Sequence, residues 1–573
     1  MKQIMKNVDP QAVSLKLEDR TLGDFSSLDD LKESFSRFRS REYRETQITA
    51  LDFIVNSSKK FIVIEAPTGA GKSLIGMAAG QLAKSFIYTV HSKPLQVQLQ
   101  ADFPEASVLF GRSNYPCSMI PRFTCAECPL INPAESCHTG CPYKQAKATT
   151  VLHKFRVLNY AYLLTEANYV GKFSNQGLIV IDEADSLENV LYGFVSIAIA
   201  ESTLKSLNLS FPKHKTAGSD VLVEEWREWA TAVRRKIDSK IANLNKIIKN
   251  MESIETEEDR KIVDQLERYS GISAKLSIFI TNVDQTWQLE IKEGFRGGKV
   301  IHFKPLWLTP ALTGSSLWRH ADRFILMSAT FPPMGVLAKM FGISPEEIDY
   351  LTLPSTFPVE NRCCIVSPVA ELTYETQAKE IPKVINAVRK IMSMHAGEKG
   401  LIHTVNYNIR TAIMDQIQDI RLVTHDSFNK QEVLNAFRAS DQPLVLVSPS
   451  SERGLSLEDS QCRFIIMCKA PFLSLGDKAV KARKNSGQIG KLWYVADMIL
   501  TVVQAMGRGV RHEDDFCVSY LLDERIASSM RQHPSIMPPW FRDALEFESP
   551  EDLFGLPVVQ KENPADDAWW NAV

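Results

Sequence analysis

Residues 66 to 73 of the chain read Ala66-Pro67-Thr68-Gly69-Ala70-Gly71-Lys72-Ser73. An apolar run precedes this stretch, and a helix-like apolar segment follows it. A strand, a glycine-rich loop, a Lys-Ser pair and a helix together cradle a triphosphate, because the loop amides and the positive end of the helix face the phosphate oxygens. Lys72 would reach the outer phosphates, and the Ser73 hydroxyl would bind Mg²⁺. Ala66 departs from the usual first glycine, so the strand-loop-helix context carries the prediction that residues 68–73 bind ATP.

An acidic pair lies at the end of a second pattern typical of a buried strand. The apolar run 177–181 leads directly into Asp182 and Glu183. In open α/β sheets, ligands bind at the carboxyl ends of the strands. We therefore expect Asp182 to hold Mg²⁺ and Glu183 to orient and deprotonate the attacking water. A solvated acidic turn is the alternative for the pair alone, and the presence of Lys72 favours nucleotide hydrolysis.

A third polar element lies far downstream, at residues 504–511, which read Gln-Ala-Met-Gly-Arg-Gly-Val-Arg. Its arginines, Arg508 and Arg511, are three positions apart and would share one face of a helix. Two guanidinium groups on one face can grip a γ-phosphate and stabilise charge in the transition state. Their separation in sequence from Lys72 predicts a second domain that closes over the nucleotide.

Cysteines are concentrated in one short segment of the chain. Five of the ten lie there: Cys117, Cys125, Cys128, Cys137 and Cys141. Soft thiolates at this density bind zinc or an iron–sulfur cluster. Disulfides are disfavoured, because the sequence shows no secretory signal. The others occupy apolar, strand-like contexts typical of small buried side chains: Cys363, Cys364, Cys462, Cys468 and Cys517.

Taken in order, these segments and several others resemble the superfamily 2 helicases of the XPD/DinG type. The segments that carry the resemblance are 43–47 (an adenine-reading element), 89–93 (motif Ia), 157–163 (an Asn-Tyr segment), 182–185 (motif II), 326–330 (motif III), 401–404 (motif IV), 451–457 (motif V), 469–472, and 504–511 (motif VI). Each is loose alone, whereas the ordered set is specific. The chain departs from the usual family pattern at Asp185, where the family has His, and at Ser456, where many members have Asp.

The resemblance implies an α/β fold with two RecA-like motor domains, each a doubly wound parallel sheet, plus an inserted iron–sulfur domain and an inserted helical arch domain. Helical spacing over 221–280, broken by the polar segment 251–258, predicts two antiparallel helices for the arch. A helical insertion that only packs is the alternative. The expected boundaries are 1–25 for an N-terminal extension, 26–110, 146–190 and 300–354 for motor domain 1, 111–145 for the cluster domain, 191–299 for the arch, 355–545 for motor domain 2 and 546–573 for a C-terminal tail.

The resemblance also implies roles for single residues. Gln47, with Arg44, would read adenine, and Gln504 would act with the two arginines of motif VI. The residues expected to contact nucleic acid are His91, Ser92, Tyr115 and Tyr160. Stacking on bases is expected of the two tyrosines, with core packing as the alternative. A 4Fe–4S cluster would be held by Cys117, Cys125, Cys128 and Cys141, with Cys137 left over and zinc as the alternative.

The function implied by the resemblance is that of an ATP-dependent DNA helicase that moves 5′→3′ on single-stranded DNA and carries a structural 4Fe–4S cluster. Its substrates would be single strands and forked or tailed duplexes, with RNA–DNA hybrids as a further candidate, and the motor would be monomeric. The alternative is a single-strand-stimulated ATPase or translocase that remodels R-loops or protein–DNA complexes without processive unwinding. A fused nuclease is disfavoured, because no acidic constellation precedes residue 40.

Composition limits these predictions without deciding among them. The chain has 573 residues, of which 44% are hydrophobic, enough for several domains with large cores. Lys and Arg total 66 against 68 for Asp and Glu, so contact with DNA must come from a local groove. The sequence shows no apolar run long enough to span a membrane and no signal-peptide core, which predicts an intracellular protein, cytoplasmic if prokaryotic or viral.

Overall fold

A computed structural model describes residues 35–38, 42–118, 123–127, 140–213, 220–249, 256–294, 297–426, 428–449, 457 and 459–557. The strands of these residues are β1 (Phe61–Glu65), β2 (Phe86–Val90), β3 (Ser107–Val108), β4 (Arg156–Asn159), β5 (Gln176–Asp182), β6 (Ile197–Ala200), β7 (Gln288–Glu293), β8 (Lys299–Lys304), β9 (Ala321–Ser328), β10 (Ile348–Thr352), β11 (Cys364–Ala370), β12 (Gly400–His403), β13 (Leu422–Thr424), β14 (Val445–Ser448), β15 (Phe464–Met467), β16 (Val518–Asp523) and β17 (Leu545–Phe547).

The α-helices of the described residues alternate with these strands. They are α1 (Glu45–Asn56), α2 (Lys72–Gly80), α3 (Lys93–Asp102), α4 (Pro142–Leu152), α5 (Tyr160–Thr165), α6 (Leu187–Val195), α7 (Glu201–Ser206), α8 (Asp220–Lys249), α9 (Glu257–Asn282), α10 (Pro310–Thr313), α11 (Met334–Phe341), α12 (Gln377–Met394), α13 (Tyr407–Gln416), α14 (Lys430–Ala439), α15 (Lys478–Lys484), α16 (Gln488–Met506), α17 (Glu524–Gln532), α18 (Pro539–Arg542) and α19 (Pro550–Phe554).

The first large sheet has seven parallel strands in the order β10-β1-β9-β5-β2-β4-β3. β1 is buried along its whole length, as expected for a parallel strand whose two faces are both covered. The glycine-rich loop follows β1, and the acidic pair lies at the end of β5. β1, β9 and β5 are parallel neighbours, so their carboxyl ends lie at the same edge of the sheet. The glycine-rich loop and the acidic pair therefore lie close together at that edge.

The second large sheet also has seven parallel strands, in the order β13-β14-β12-β15-β16-β11-β17. Its last strand, β17, pairs with β11, and the following helix α19 buries Phe554 in the same core. The predicted start of the tail at residue 546 therefore lies inside a strand of this sheet. The chain remains part of this domain as far as α19, because an edge strand and a buried phenylalanine hold it there.

A third unit lies between β5 and β9 in the chain. Its helices α8 and α9 are antiparallel, because Arg227 donates to the Ile280 carbonyl oxygen (3.1 Å) while Ser273 donates to Asp238 (2.6 Å). A three-stranded antiparallel sheet, β6-β8-β7, packs against them. The two helices follow the helical spacing of the sequence. The sheet is a difference from the predicted all-helical insertion, and it reaches Lys304, beyond the predicted end of the arch.

Helix α16 is long and apolar enough to cross a membrane by length and composition alone. Most of its residues are buried inside the protein, among them Val495, Ile499 and Val503 in the core of the second domain. Core helices of globular domains commonly pass the same test. Its burial matters here because α16 leads into the motif VI segment.

Candidate nucleotide site

The glycine-rich loop connects β1 to α2 and is shaped by two left-handed glycines. Gly69 and Gly71 have φ of 84° and 78°, where glycine is favoured. The Lys72 ammonium group donates to the carbonyl oxygens of Ala66 (2.9 Å) and Pro67 (3.1 Å). Burial lowers the pKa of Lys72, and the nearby carboxylates of motif II oppose that shift. The cation is thus held inside the loop at the N-terminus of α2, where a phosphate would bind.

Two residues of the predicted adenine-reading element lie against this loop. The Gln47 side chain is buried, and its Oε1 accepts from the Arg44 backbone N–H at 3.1 Å. Its Nε2 covers Gly71 so closely that a Cβ there would come within 2.1 Å. The Arg44 guanidinium donates to the Gly69 carbonyl oxygen. Both residues flank the phosphate loop, and their reading of adenine stays a prediction.

The two predicted Mg²⁺ ligands are connected through one buried tyrosine. The Tyr88 hydroxyl donates to Asp182 Oδ2 at 2.7 Å and is also hydrogen-bonded to Ser73. The Tyr160 hydroxyl donates to the backbone oxygen of Asp182. Burial raises the pKa of Asp182, and the Lys72 ammonium lowers it. A serine hydroxyl and a carboxylate that share one neighbour are the hard oxygen ligands that suit Mg²⁺.

Glu183 adopts a backbone conformation that is rare for a residue with a side chain. Its φ is 56°, and its N–H donates to Asp182 Oδ1 at 3.0 Å. Such left-handed positions cost about 1–3 kcal/mol and occur preferentially at functional sites. Burial, with the charges of Asp182 and Asp185, raises the pKa of Glu183 to about 7, while Lys72 and Arg508 oppose the shift. A carboxylate with a pKa near 7 is suited to accept a proton from water at neutral pH.

Asp185 connects motif II to both motif III and motif VI. Its Oδ1 accepts from the Ser328 hydroxyl at 2.9 Å, and its Oδ2 accepts from Gln504 Nε2 at 3.0 Å. The same Gln504 amide donates to Thr330 Oγ1 at 2.8 Å. The aspartate that replaces the usual histidine therefore accepts one hydrogen bond from each domain.

The two arginines of motif VI lie beyond the end of α16, and the prediction that they share a helix face is wrong. The helix ends at Met506, and Arg508 and Arg511 lie in the irregular segment after it. The charges of both arginines still act on groups at the nucleotide site. Arg508 lowers the pKa of Glu183, and Arg511 lowers the pKa of Lys72, which places each charge near its partner.

Three residues at the site were not predicted from the sequence. Tyr88 looks like any core residue of an apolar strand, and Phe357 carries no local signal. The Phe357 ring lies over Gly69, where a Cβ would come within 2.0 Å of its Cζ. Glu65 accepts from the Phe331 N–H (2.9 Å) and the Thr352 hydroxyl (3.2 Å), and burial raises its pKa to about 7. A lone carboxylate ending an apolar strand was the available signal for Glu65.

Three of the predicted cluster ligands converge in the described residues. Two short segments pair antiparallel around these cysteines. The Cys117 N–H donates to the Phe123 carbonyl oxygen and the Cys125 N–H donates to the Tyr115 carbonyl oxygen, both at 2.8 Å. Cys125 Sγ lies 3.6 Å from Cys141 Sγ. Burial and the neighbouring thiols raise the pKa of Cys125 to about 11. The close approach of the sulfur atoms is what fits a metal centre, and a bound metal would have to offset the raised pKa by stabilising the thiolates.

Other predicted residues lie outside the described part of the chain or differ from their expected setting. Cys128, Cys137 and motif V residues 451–456 are not among the described residues. His91 is exposed directly after β2, and Ser92 is half-buried as the N-cap of α3.

The two tyrosines expected to stack on bases are packed inside the protein. Tyr160 is buried beneath Asp182, which matches core packing and not an open stacking platform. Tyr115 is half-buried, with its ring 5.6 Å from that of Tyr143 beside the cysteines. Contact of either ring with a DNA base stays a prediction.

The two parallel sheets define a class of fold, the α/β proteins with two RecA-like domains. A solved structure named XPD_Helicase superposes with a TM-score of 0.55 at 16% identity, covering 89% of this chain and 100% of that one. The structure of S. tokodaii Xpd4 superposes with a TM-score of 0.52 at 14% identity, covering 88% and 100%. These similarities confirm the predicted fold class of two parallel-sheet motor domains.

Sequence comparisons agree with that class. Residues 388–544 match the family model described as helicase C-terminal domain. The ATP-dependent DNA helicase CHL1 of Debaryomyces hansenii is 20% identical over 477 residues, which is 68% of this chain and 58% of that protein. The Saccharomyces cerevisiae CHL1 is 20% identical over 475 residues, 67% and 54%. The chain thus spans little more than half the length of these curated relatives.

The C-terminal domain match, the CHL1 relatives and the XPD structures support one assignment. The chain therefore resembles the superfamily 2 helicases of the XPD/DinG type, and its residues 388–544 match their C-terminal domain. The family resemblance predicted from the sequence motifs is confirmed.

Proposed function

We propose that this chain is an ATP-dependent DNA helicase that moves 5′→3′ along single-stranded DNA. The observation that carries the motor function is the hydrogen bond of 3.0 Å between Gln504 and Asp185. It joins the second domain directly to motif II of the first. A nucleotide on the Lys72 loop would therefore be contacted from both domains, and its binding and release would change how they fit together.

The chemistry follows from charges already placed around the loop. Glu183 accepts the proton of the attacking water, since its raised pKa makes it a base near neutral pH. Lys72, Arg508 and Arg511 balance the charge that develops on the γ-phosphate. Mg²⁺ held by Ser73 and Asp182 would neutralise the phosphates and align them. Because motif VI supplies two of these cations, hydrolysis requires that the domains be closed.

A structural 4Fe–4S cluster on Cys117, Cys125, Cys128 and Cys141 is part of the proposal. The close approach of Cys125 to Cys141 and the thiol chemistry of the segment support a metal centre. The family resemblance favours iron–sulfur over zinc, and it is also the basis for the 5′→3′ direction. The cluster would fold the segment that precedes α4 and would take no part in hydrolysis.

Strand displacement tests the whole proposal. Protein purified without oxygen would be given ATP and duplexes that carry either a 5′ or a 3′ single-stranded tail. We expect displacement from the 5′-tailed duplex alone, and none by the Lys72→Ala variant, which loses the cation that binds the phosphates. Displacement from the 3′ tail alone would contradict the direction.

The same assay separates the second candidate function. ATP hydrolysis stimulated by single strands, with neither duplex opened, would indicate a translocase that remodels R-loops or protein–DNA complexes. Absence of ATP hydrolysis in the wild-type protein would contradict both functions. RNA–DNA hybrids with 5′ tails are the third substrate to include, because nothing at the nucleotide loop selects the tracked strand.

A further inference from the structure

A buried ion pair joins the two motor domains away from the glycine-rich loop. Arg483 lies on α15 of the second domain, and its Nη2 is 2.5 Å from Oε1 of Glu188 on α6 of the first. The two side chains are only 8% and 9% exposed. Burying two charges costs several kcal/mol per ion, so such a pair is a poor source of stability and instead specifies one geometry.

Two indole rings hold the arginine in place. The Arg483 guanidinium carbon lies 3.9 Å from the ring centroid of Trp307 and 4.1 Å from that of Trp493. The Trp307 indole N–H also donates to Ser486 Oγ at 3.0 Å, across the same boundary. A planar guanidinium stacks on such rings in a way that a lysine ammonium cannot. The position of the charge is therefore fixed by rings from both domains.

Both ends of this contact lead to the nucleotide site. Glu188 lies three residues after Asp185 in the chain, and Trp493 lies on α16, the helix that carries Gln504. At 1.5 Å per residue, Trp493 and Gln504 are about 16 Å apart along α16. This helix is thus connected to the motif II segment twice, once through Gln504 and once through Arg483. Two separated contacts constrain the orientation of a rigid helix more tightly than one, and Val336 of the first domain packs against Trp493 beside the second of them.

We propose that Arg483 is a positioning residue for ATP hydrolysis. By holding Glu188 against the N-terminal half of α16, it sets how Gln504 and the arginines beyond it approach Asp185. It touches no nucleotide and acts through the two elements it joins. The inference rests on the proposed ATPase function and is independent of strand polarity and of the cluster.

The conservative variant Arg483→Lys is the first test. It keeps the charge and loses the planar surface, so we expect kcat for single-strand-stimulated ATP hydrolysis to fall about tenfold and KM for ATP to change less than about twofold. Arg156→Lys is the matched control, since Arg156 is equally buried and bonds to Phe86 O (3.0 Å) and Gln176 (2.9 Å) within the first sheet. Its kcat should stay within about twofold of wild type.

A second pair of variants separates positioning from folding. Arg483→Met leaves the buried Glu188 charge without its partner, and the added Glu188→Gln substitution removes that charge. We expect the double variant to recover the wild-type unfolding temperature while kcat stays low. Dyes on the two motor domains, read with a non-hydrolysable ATP analogue bound, should report a broader distance distribution for Arg483→Lys than for Arg156→Lys.

Three outcomes would overturn the inference: a wild-type kcat in Arg483→Lys, an equal loss in Arg156→Lys, or recovery of kcat together with stability in the double variant. A wild-type protein without ATPase activity would instead contradict the proposed function.

Discussion

The carboxylate of Glu183 lies where its charge is unfavourable, and this has opposite consequences for folding and for chemistry. Its pKa rises from 4.5 to about 7 because it is buried beside Asp182 and Asp185. The folded protein therefore binds the proton that the unfolded chain releases, so this group's contribution to stability is lost as pH rises from about 4.5 to 7. The reactive, deprotonated form predominates only above that window. The pH range in which Glu183 can act as a base is therefore the range in which its charge lowers the stability of the folded protein.

The pH dependence of hydrolysis follows from this shift. We expect kcat/KM for ATP to rise through a pKa of about 7 and to be about tenfold lower at pH 6 than on the plateau. The measurement is a pH series of single-strand-stimulated ATPase rates. Glu65→Gln is the control, since Glu65 has a similar pKa but bonds to Phe331 and Thr352 instead of facing the water site. Loss of the acidic limb in that variant would assign the titration to Glu65.

The Asp185–Gln504 bond allows a test by exchange of donor and acceptor. Gln504→Glu places a second carboxylate against Asp185, and we expect kcat to fall about 10- to 100-fold, equivalent to about 1–3 kcal/mol of coupling. Adding Asp185→Asn restores a donor–acceptor pair and should recover part of the rate. A double-mutant cycle on kcat measures the coupling. Additive losses would mean that the two residues act independently.

At the scale of elements, two features restrict which residue the glycine-rich loop accepts at position 69: the backbone conformation there and the ring of Phe357. Gly69 has a left-handed φ, and the Phe357 ring covers it. Phe357 belongs to the segment between β10 and β11, which joins the two large sheets, and to the core of the second domain. The glycine-rich loop is thus in contact with the connection between the domains.

Substituting Gly69 tests that contact. Gly69→Ala meets both an unfavourable φ and the Phe357 ring, so we expect KM for ATP to rise more than about tenfold. Gly171→Ala is the control for the unfavourable backbone conformation alone. Gly171 has a similar φ of 80°, and nothing lies within 4 Å of an added Cβ. It should cost about 1 kcal/mol of stability and leave KM unchanged. Equal effects of the two substitutions on KM would remove any role for the ring.

Sequence patterns predicted the strands better than the segments between them. The apolar run 177–181 corresponds to β5, because a strand buried on both faces must be apolar throughout. The spacing of Arg508 and Arg511 predicted a shared helix face, whereas α16 ends at Met506, before both of them. Tyr88 and Phe357 could not be found, because contacts made across the sheet or across domains leave no periodic trace in the sequence.

At the scale of the whole molecule, the cysteine segment is an insertion whose loss should leave the nucleotide site intact. Its three described cysteines lie between β3 and α4, away from Lys72 in the chain, and Cys125 is buried against Cys141. An inserted unit of this kind can lose its structure while the domain that carries it stays folded. Hydrolysis and unwinding should therefore respond differently to its removal.

Cys125→Ser tests this separation. We expect the variant to lose bound iron and the associated visible absorbance, and to lose duplex unwinding, while it still binds ATP. Iron analysis and the tailed-duplex assay are the measurements. Cys363→Ser is the control, since Cys363 is a half-exposed cysteine of the second domain and should keep full iron content. Full iron content in Cys125→Ser would remove that residue from the ligand set.

The strand order of the first sheet also has a consequence for biosynthesis. β9 lies between β1 and β5, and β10 closes the edge beside β1. A nascent chain that has left the ribosome only as far as the arch therefore lacks the strand that links its phosphate loop to its acidic pair. The cysteine segment and the antiparallel helices are complete before that strand is made, so these insertions can fold while their host domain is still unfinished. Any metal bound by the cysteines can then be loaded before the first large sheet is assembled.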